Sequence, residues 1–270
     1  MAPNSGFDAY SPREMAERLE QLCVAKSATP LLSLVMLGML AGAFIGLGSL
    51  FYVIVASDPT LGFAASRLLG GAVFSLGLLL VVVAGAELFT GNNLLAMAWA
   101  QGLLTTRDVL WNWLVVCASN FAGAVGLALL VFLSGHAEMN GGLLGKTYLA
   151  IAHAKSELPF WTAFFRGALC NVLVCMAVWM TLAGRSVVDK FVAVLMPTAA
   201  FVAAGFEHSI ANMYFLSLAT MLEAAAGAPL QLSWLWTNLV PVIAGNIFGG
   251  SVIVALVYYV VYRRGARATP

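Results

Sequence analysis

An all-α membrane protein of six crossings, built as two inverted repeats of three helices with the second and fifth helices broken, is the fold the sequence predicts. Three observations carry it. Hydrophobic residues make up 61% of the 270 and charged residues 9%, with a mean hydropathy of +0.93, a balance that a water-soluble domain could not sustain. Apolar segments recur six times, each long enough to cross ~30 Å of hydrocarbon. The second and fifth of these are interrupted by a short polar stretch that opens on a glycine.

Residues 1–28 read as an amphipathic helix ahead of the membrane domain. Ser11-Pro12-Arg13-Glu14 has the form of a helix start, with Ser11 as N-cap, Pro12 in the first helical position and Glu14 able to close a capping box. Met15, Leu19, Leu22 and Cys23 then recur at helical spacing, which suits packing on the underside of the membrane domain or lying at the interface. Arg13, Glu14, Glu17, Arg18 and Glu20 interrupt any signal-peptide core, so the N-terminus is expected to stay in the cytoplasm.

The channel domain is placed at 29–262, with crossings at 31–56, 66–100, 109–133, 160–182, 190–221 and 235–262, and a short basic tail at 263–270. Six crossings return both ends to one side. Arg107, Arg185 and Lys190 fall in connections on the side of Arg13, Arg18, Lys26, Arg263, Arg264 and Arg267, against Arg67, Lys146, Lys155 and Arg166 opposite, so the basic excess predicts both ends inside. Trp111, Trp113, Trp161, Trp234, Trp236, Tyr258, Tyr259 and Tyr262 gather near segment ends, at headgroup depth. Arg166 is expected to snorkel to the interface rather than line a pore.

A continuous helix over 190–221 would run ~48 Å at ~1.5 Å per residue, so it has to tilt steeply or break. The break is expected at Gly205 to Asn212, and its counterpart at Gly85 to Asn93. Non-helical backbone survives at membrane depth only inside protein or along a wet cavity, so the two breaks should face each other. Asn120-Phe121-Ala122-Gly123 in the third crossing echoes Asn246-Ile247-Phe248-Gly249 in the sixth, and an odd number of crossings per half inverts the repeat. Broken helices in matching positions of inverted repeats point to a substrate site near the midplane. The glycines at 38, 42, 46 and 48, and at 245, 249 and 250, read as close helix packing.

Several function classes are set aside. A net charge of +1 offers no basic stripe for nucleic acid. Cys23, Cys117, Cys170 and Cys175 lack metal-ligand partners at useful spacing and read as packing residues, so no metal, no cofactor and no enzyme activity is expected. A haem-bearing subunit of a respiratory enzyme needs paired axial ligands, whereas only His208 is embedded, with His136 and His153 in the long outer connection. No His-Glu-x-x-His supports a metalloprotease. A pore for neutral solutes stays open at this point.

His208 is the residue that most demands an explanation. An ionisable side chain at the bilayer centre costs about 2.5–3.5 kcal/mol or more, and such residues mark substrate or proton pathways. Three stretches then carry a resemblance: Ala86-Glu87-Leu88-Phe89-Thr90-Gly91-Asn92, the run from Leu169 to Met180 around Asn171, and Gly205-Phe206-Glu207-His208-Ser209-Ile210-Ala211-Asn212-Met213. Together they closely resemble the formate/nitrite transporter family, and the resemblance continues to Pro241-Val242-Ile243-Ala244-Gly245-Asn246.

That resemblance implies an aquaporin-like protomer in a homopentamer of the bacterial inner membrane, one pore per protomer, passing small monovalent anions: formate first, then nitrite or hydrosulfide. It implies His208 as the central histidine, with Asn171 and Thr90 beside it and Lys155 at the outer vestibule. It implies apolar constrictions at Phe74, Leu78 and Phe201 towards the outside, and at Leu88, Phe89 and Val174 towards the cytoplasm. A bare anion is heavily penalised in such rings. With an ordinary pKa near ~6.5, His208 is expected to hand a proton to the anion, held by hydrogen bonds from Thr90 and Asn171. Glu207 beside it, like Glu87 in the other break, is expected chiefly to cap freed backbone groups rather than exchange protons. Lys155 is expected to raise the anion concentration at the mouth.

Overall fold

The structure is a computed structural model that describes residues 10–264. The basic tail expected at 263–270 lies outside the described residues except for its first two. Helix α1 (Pro12–Ser27) begins as anticipated: Ser11 Oγ accepts from the Glu14 N–H, and the Glu14 carboxylate accepts from the Ser11 N–H at 2.7 Å, closing the capping box. Its buried face is Met15, Ala16, Leu19 and Cys23. The Arg263 guanidinium clamps that helix from the far end of the chain, donating to Glu17 at 2.6 Å and Glu20 at 3.0 Å.

The first crossing is α2 (Leu31–Ala56). The second is α3 (Phe63–Ala84), a non-helical turn, the single-turn α4 (Phe89–Asn92) and α5 (Leu95–Ala100). The third, α6 (Thr106–Leu133), opens on a Thr105–Asp108 capping box. The connection that the sequence leaves as a long loop contains a further helix, α7 (Leu143–Ser156), whose Leu144, Tyr148 and Ala152 are buried at i, i+4, i+8. The fourth crossing is α8 (Phe160–Thr181), and the fifth is α9 (Val187–Ala203) and α10 (Ser209–Ala225) across the second break. The sixth is α11 (Leu235–Tyr262), which is wound partly as π-helix over Leu235–Leu239 and Phe248–Leu256. Among the described residues, five helices are long and apolar enough to cross a membrane unaided, and the broken α9–α10 pair supplies the remaining passage.

Glycine sets how closely these helices approach. A Cβ at Gly42 on α2 would strike the Asn120 carbonyl of α6, and one at Gly123 on α6 would strike the Met39 carbonyl of α2. The second half repeats this, with Gly245 and Gly249 of α11 against the Phe164 and Ala168 carbonyls of α8. With no solvent to drive helices together in lipid, such backbone contact provides the packing energy. The result is an aquaporin-like bundle in which α2–α6 and α8–α11 are the two inverted repeats. Leu32, Leu133, Met196 and Trp236 project from its outside, as a lipid-facing surface requires.

Candidate functional site

The two breaks are built alike, bond for bond. Each starts on a glycine in the left-handed region, Gly85 at φ +76° and Gly205 at φ +72°, where a side chain would be strained. In each, the freed glutamate N–H donates across to another crossing: Glu87 to the Leu37 carbonyl at 3.2 Å, Glu207 to the Arg166 carbonyl at 3.3 Å. One buried asparagine then pins each loop. Asn120 donates to the Gly38 and Glu87 carbonyls at 2.7 and 2.8 Å and accepts from the Phe89 N–H at 2.9 Å. Asn246 donates to the Gly167 and Glu207 carbonyls at 2.8 and 3.1 Å and accepts from the Ser209 N–H at 3.0 Å. The echo between Asn120 and Asn246 is therefore a shared solution to the unmet backbone groups of a broken membrane helix.

The two glutamates are matched as well. Glu87 pairs with Lys26 at 2.6 Å and accepts from Asn92 at 2.7 Å; Glu207 pairs with Lys155 at 3.0 Å and accepts from Asn212 at 2.6 Å. Asn92 and Asn212 bond in turn to Asn112 and Asn238. Both carboxylates are buried, and each is compensated by an ammonium and an amide, which is what makes a buried charge tolerable. The roles of Lys26, Asn112 and Asn238 were not legible in the sequence, because their partners lie far away along the chain. The capping expectation for Glu207 is thus replaced by an ion pair. Lys155 is no solvated loop charge but stands in the last turn of α7, largely buried against that carboxylate.

His208 stands where the two loops meet. Its Nε2 is 3.1 Å from Thr90 Oγ1, and its Nδ1 accepts from the Ala211 N–H at 3.3 Å, capping α10. Since that cap needs the Nδ1 lone pair, the neutral ring carries its proton on Nε2, facing the threonine. Asn171 makes no hydrogen bond to the ring, contrary to expectation. Its Nδ2 donates to the Thr90 carbonyl at 3.2 Å, to Asn93 Oδ1 at 2.7 Å and to the Asn246 carbonyl at 2.7 Å, so it holds Thr90 and the second pin in place.

Two cavities approach this contact from opposite faces. On the face carrying α7, a cavity of about 710 Å³ reaches His208 past Phe74 and Phe201, whose rings meet edge to face at 5.7 Å; Phe201 stacks on the imidazole at 5.9 Å. On the face carrying α1, a cavity of about 770 Å³ ends at Leu78 and Leu88. Leu78, expected on the outer side, lines this opposite cavity instead. Phe89 and Val174 are buried in the core and line neither. Arg166, expected to snorkel to the interface, is exposed and also lines the α7-face cavity, and its backbone carbonyl accepts from the Glu207 N–H. No group of His, Cys, Asp and Glu suited to a metal ion occurs among the described residues, and the four cysteines are free.

Comparison with known proteins gives one consistent answer. The family model described as formate/nitrite transporter matches residues 13–260. Formate channel FocA of Escherichia coli K12 is 38% identical, covering 98% of this chain and 98% of its own, and formate channel FocB of the same strain is 34% identical over 96% and 97%. A solved pentameric formate channel with formate bound superposes with a TM-score of 0.79 at 36% identity, covering 86% of this chain and 97% of that one.

Proposed function

The chain belongs to the formate/nitrite transporter family and is a multi-pass membrane protein, and from that premise we propose that it is a formate channel in which His208 links the anion to a proton. The observation that carries the proposal is the Thr90–His208 contact, which stands between two cavities closed by apolar side chains. A charged formate cannot cross Phe74–Phe201 or Leu78–Leu88 cheaply, since an isolated carboxylate in an apolar setting loses many kcal/mol of hydration. Neutralising it removes that cost.

The ring takes one proton from the bath on Nδ1, formate arrives as the anion, the imidazolium gives its Nε2 proton to a formate oxygen, and neutral formic acid leaves the ring neutral with its proton on Nδ1; loss of that proton and uptake of one at Nε2 restore the resting ring. A second proton can settle only on Nδ1, at the expense of the Ala211 cap, so the charged ring is short-lived and needs the anion beside it. Thr90 orients the donating Nε2 edge, and Asn171 fixes Thr90. Nitrite and hydrosulfide are conjugate bases of weak acids too and would use the same passage. By the basic excess, both termini face the cytoplasm, the α7 face is outside, and the bacterial inner membrane is the location. The solved relative is a pentamer with formate bound, and a homopentamer with a pore in each protomer is the matching assembly here.

Proteoliposomes with an internal pH dye test the proposal. Formate added outside should drive alkalinisation of the bath and acidification within, and His208→Phe should abolish both. Proton-coupled uptake surviving in that variant removes the relay, and large water flux without formate flux would favour a neutral-solute pore.

A further inference from the structure

The α7-face cavity holds more positive charge than its buried ion pair accounts for. Besides His208, its ionisable lining is Asp58, Arg67, Lys146, Lys155, Arg166 and Glu207. Lys155 and Glu207 neutralise one another at 3.0 Å. Asp58 is turned to Thr60, accepting from its N–H at 2.8 Å and its hydroxyl at 2.7 Å. Arg67, Lys146 and Arg166 make no ion pair with a carboxylate among the described residues. Lys155 is therefore not the free cation of this mouth.

Two of the three unpaired cations are guanidiniums, and both residues adjoin the broken loop that ends at His208, Arg67 by its side chain and Arg166 by its backbone. Arg67 lies against its first residue, since a Cβ built on Gly205 would stand 3.9 Å from Arg67 Nη2. Arg166 holds its third residue through the bond from the Glu207 N–H to the Arg166 carbonyl. The internal symmetry also fails here: the position in the first half that receives the Glu87 N–H is Leu37. A charge present in one repeat alone is not part of the scaffold that both repeats need.

We propose that Arg67 and Arg166 form the anion-capture site of this mouth, and that it prefers planar anions with two oxygens, a carboxylate or nitrite, over anions with a single acceptor atom such as hydrosulfide. The inference rests on the anion-channel reading above and adds a substrate class to it. A guanidinium presents paired N–H donors whose fork matches two oxygens, whereas an ammonium is a point charge that any anion satisfies. A cavity lined by unpaired cations raises local anion concentration and on-rate, and because Arg166 is exposed the hold is loose enough to release the anion inward. Salt screens such charges over ~8 Å at physiological ionic strength, so the effect belongs to low salt.

The test uses right-side-out membrane vesicles carrying the full chain, with formate uptake and efflux followed at two ionic strengths and sulfide uptake beside them. Arg67→Gln/Arg166→Gln should raise half-saturating formate about tenfold at the α7 face in low salt and much less in high salt. Arg166→Lys should keep the salt dependence while narrowing the preference for formate over hydrosulfide. Unchanged half-saturation in the double glutamine variant in both directions overturns the capture site, and an unchanged preference in Arg166→Lys overturns the fork. Elution of each variant as the unmodified assembly confirms folding. An unmodified chain that takes up no formate instead defeats the channel reading, and the capture site with it.

Discussion

Asn246→Leu should be among the costliest single polar substitutions in the second half of the molecule. The side chain makes three hydrogen bonds, two donated to the Gly167 and Glu207 carbonyls and one accepted from the Ser209 N–H, all fully buried. Interhelical hydrogen bonds in membranes average about 0.6 kcal/mol, which sets a floor of about 2 kcal/mol for the three. Leucine also strands the Ser209 N–H and the Glu207 carbonyl, which lie in the break and have no helical partner there, and each buried orphan costs about 1–3 kcal/mol. The two orphans together cost about 2–6 kcal/mol, a figure that already contains the lost bonds. At about 2–4 °C per kcal/mol for a chain of this size, the thermal midpoint of detergent-solubilised protein should fall by several degrees or more. Asn120→Leu should fall by a similar amount, because its bonds are the same set in the other repeat. Asn246→Asp keeps the acceptor but aims a carboxylate oxygen at two carbonyls, and should be no better than leucine. A midpoint for Asn246→Leu within about 1 °C of the unmodified protein would refute the idea that these asparagines hold the broken crossings together.

Lys155→Met should destabilise by about 3–5 kcal/mol, since it leaves the Glu207 charge buried, and adding Glu207→Gln should recover part of the loss; equal melting of single and double variants would disprove the coupling. Lys26→Met should cost less against Glu87, because the Lys26 side chain is 35% exposed where that of Lys155 is 16%. Gly42→Ala should prevent folded protein from accumulating in the membrane, as its Cβ would meet the Asn120 backbone, whereas Gly62→Ala, with nothing nearby, should be silent; comparable yields of the two would contradict the packing argument. Hydrogen bonds from the Thr60 hydroxyl and N–H hold the Asp58 carboxyl below its ordinary 3.8, so their contribution is complete above that value and is lost as pH falls through the lower folded one. Formate capture at the α7 face should therefore not gain from Asp58 protonation until strongly acid pH, and Thr60→Val should move that gain to higher pH in an uptake profile.

What the sequence made legible follows from the range of the interactions involved. Crossing limits, the α1 capping box and both break points rest on local patterns, and the helices begin and end close to where those patterns place them. Asn120 and Asn246 were legible as a motif, though their purpose was not. The Lys26–Glu87 pair spans 61 residues and the Lys155–Glu207 pair 52, and no periodicity connects such partners. Helix α7 could have been found, since Leu144, Tyr148 and Ala152 recur at helical spacing, but a connection between two crossings invites reading as a loop.

The two repeats share a scaffold and divide the chemistry. Leu88 and His208 occupy the same place in their loops, one residue after the paired glutamate, with nearly the same backbone, φ −107° and ψ 123° against φ −104° and ψ 114°. Only the histidine turns its side chain back to cap the following helix. Thr90, its partner, comes from the other repeat, where the matching position in the histidine's own half is Ile210. The proposed proton link thus draws one polar residue from each loop, and a symmetric pair of loops would supply either two such sites or none. Moving the ring across the axis tests this directly. Leu88→His/His208→Leu places an imidazole on an equivalent backbone, but the residue facing it from the other loop by symmetry is Ile210, which offers no hydroxyl. The variant should fold, because the pins Asn120 and Asn246 are untouched, and should stay inactive in proton-coupled formate uptake. Activity in that variant would mean that the imidazole alone suffices and that the Thr90 contact is incidental.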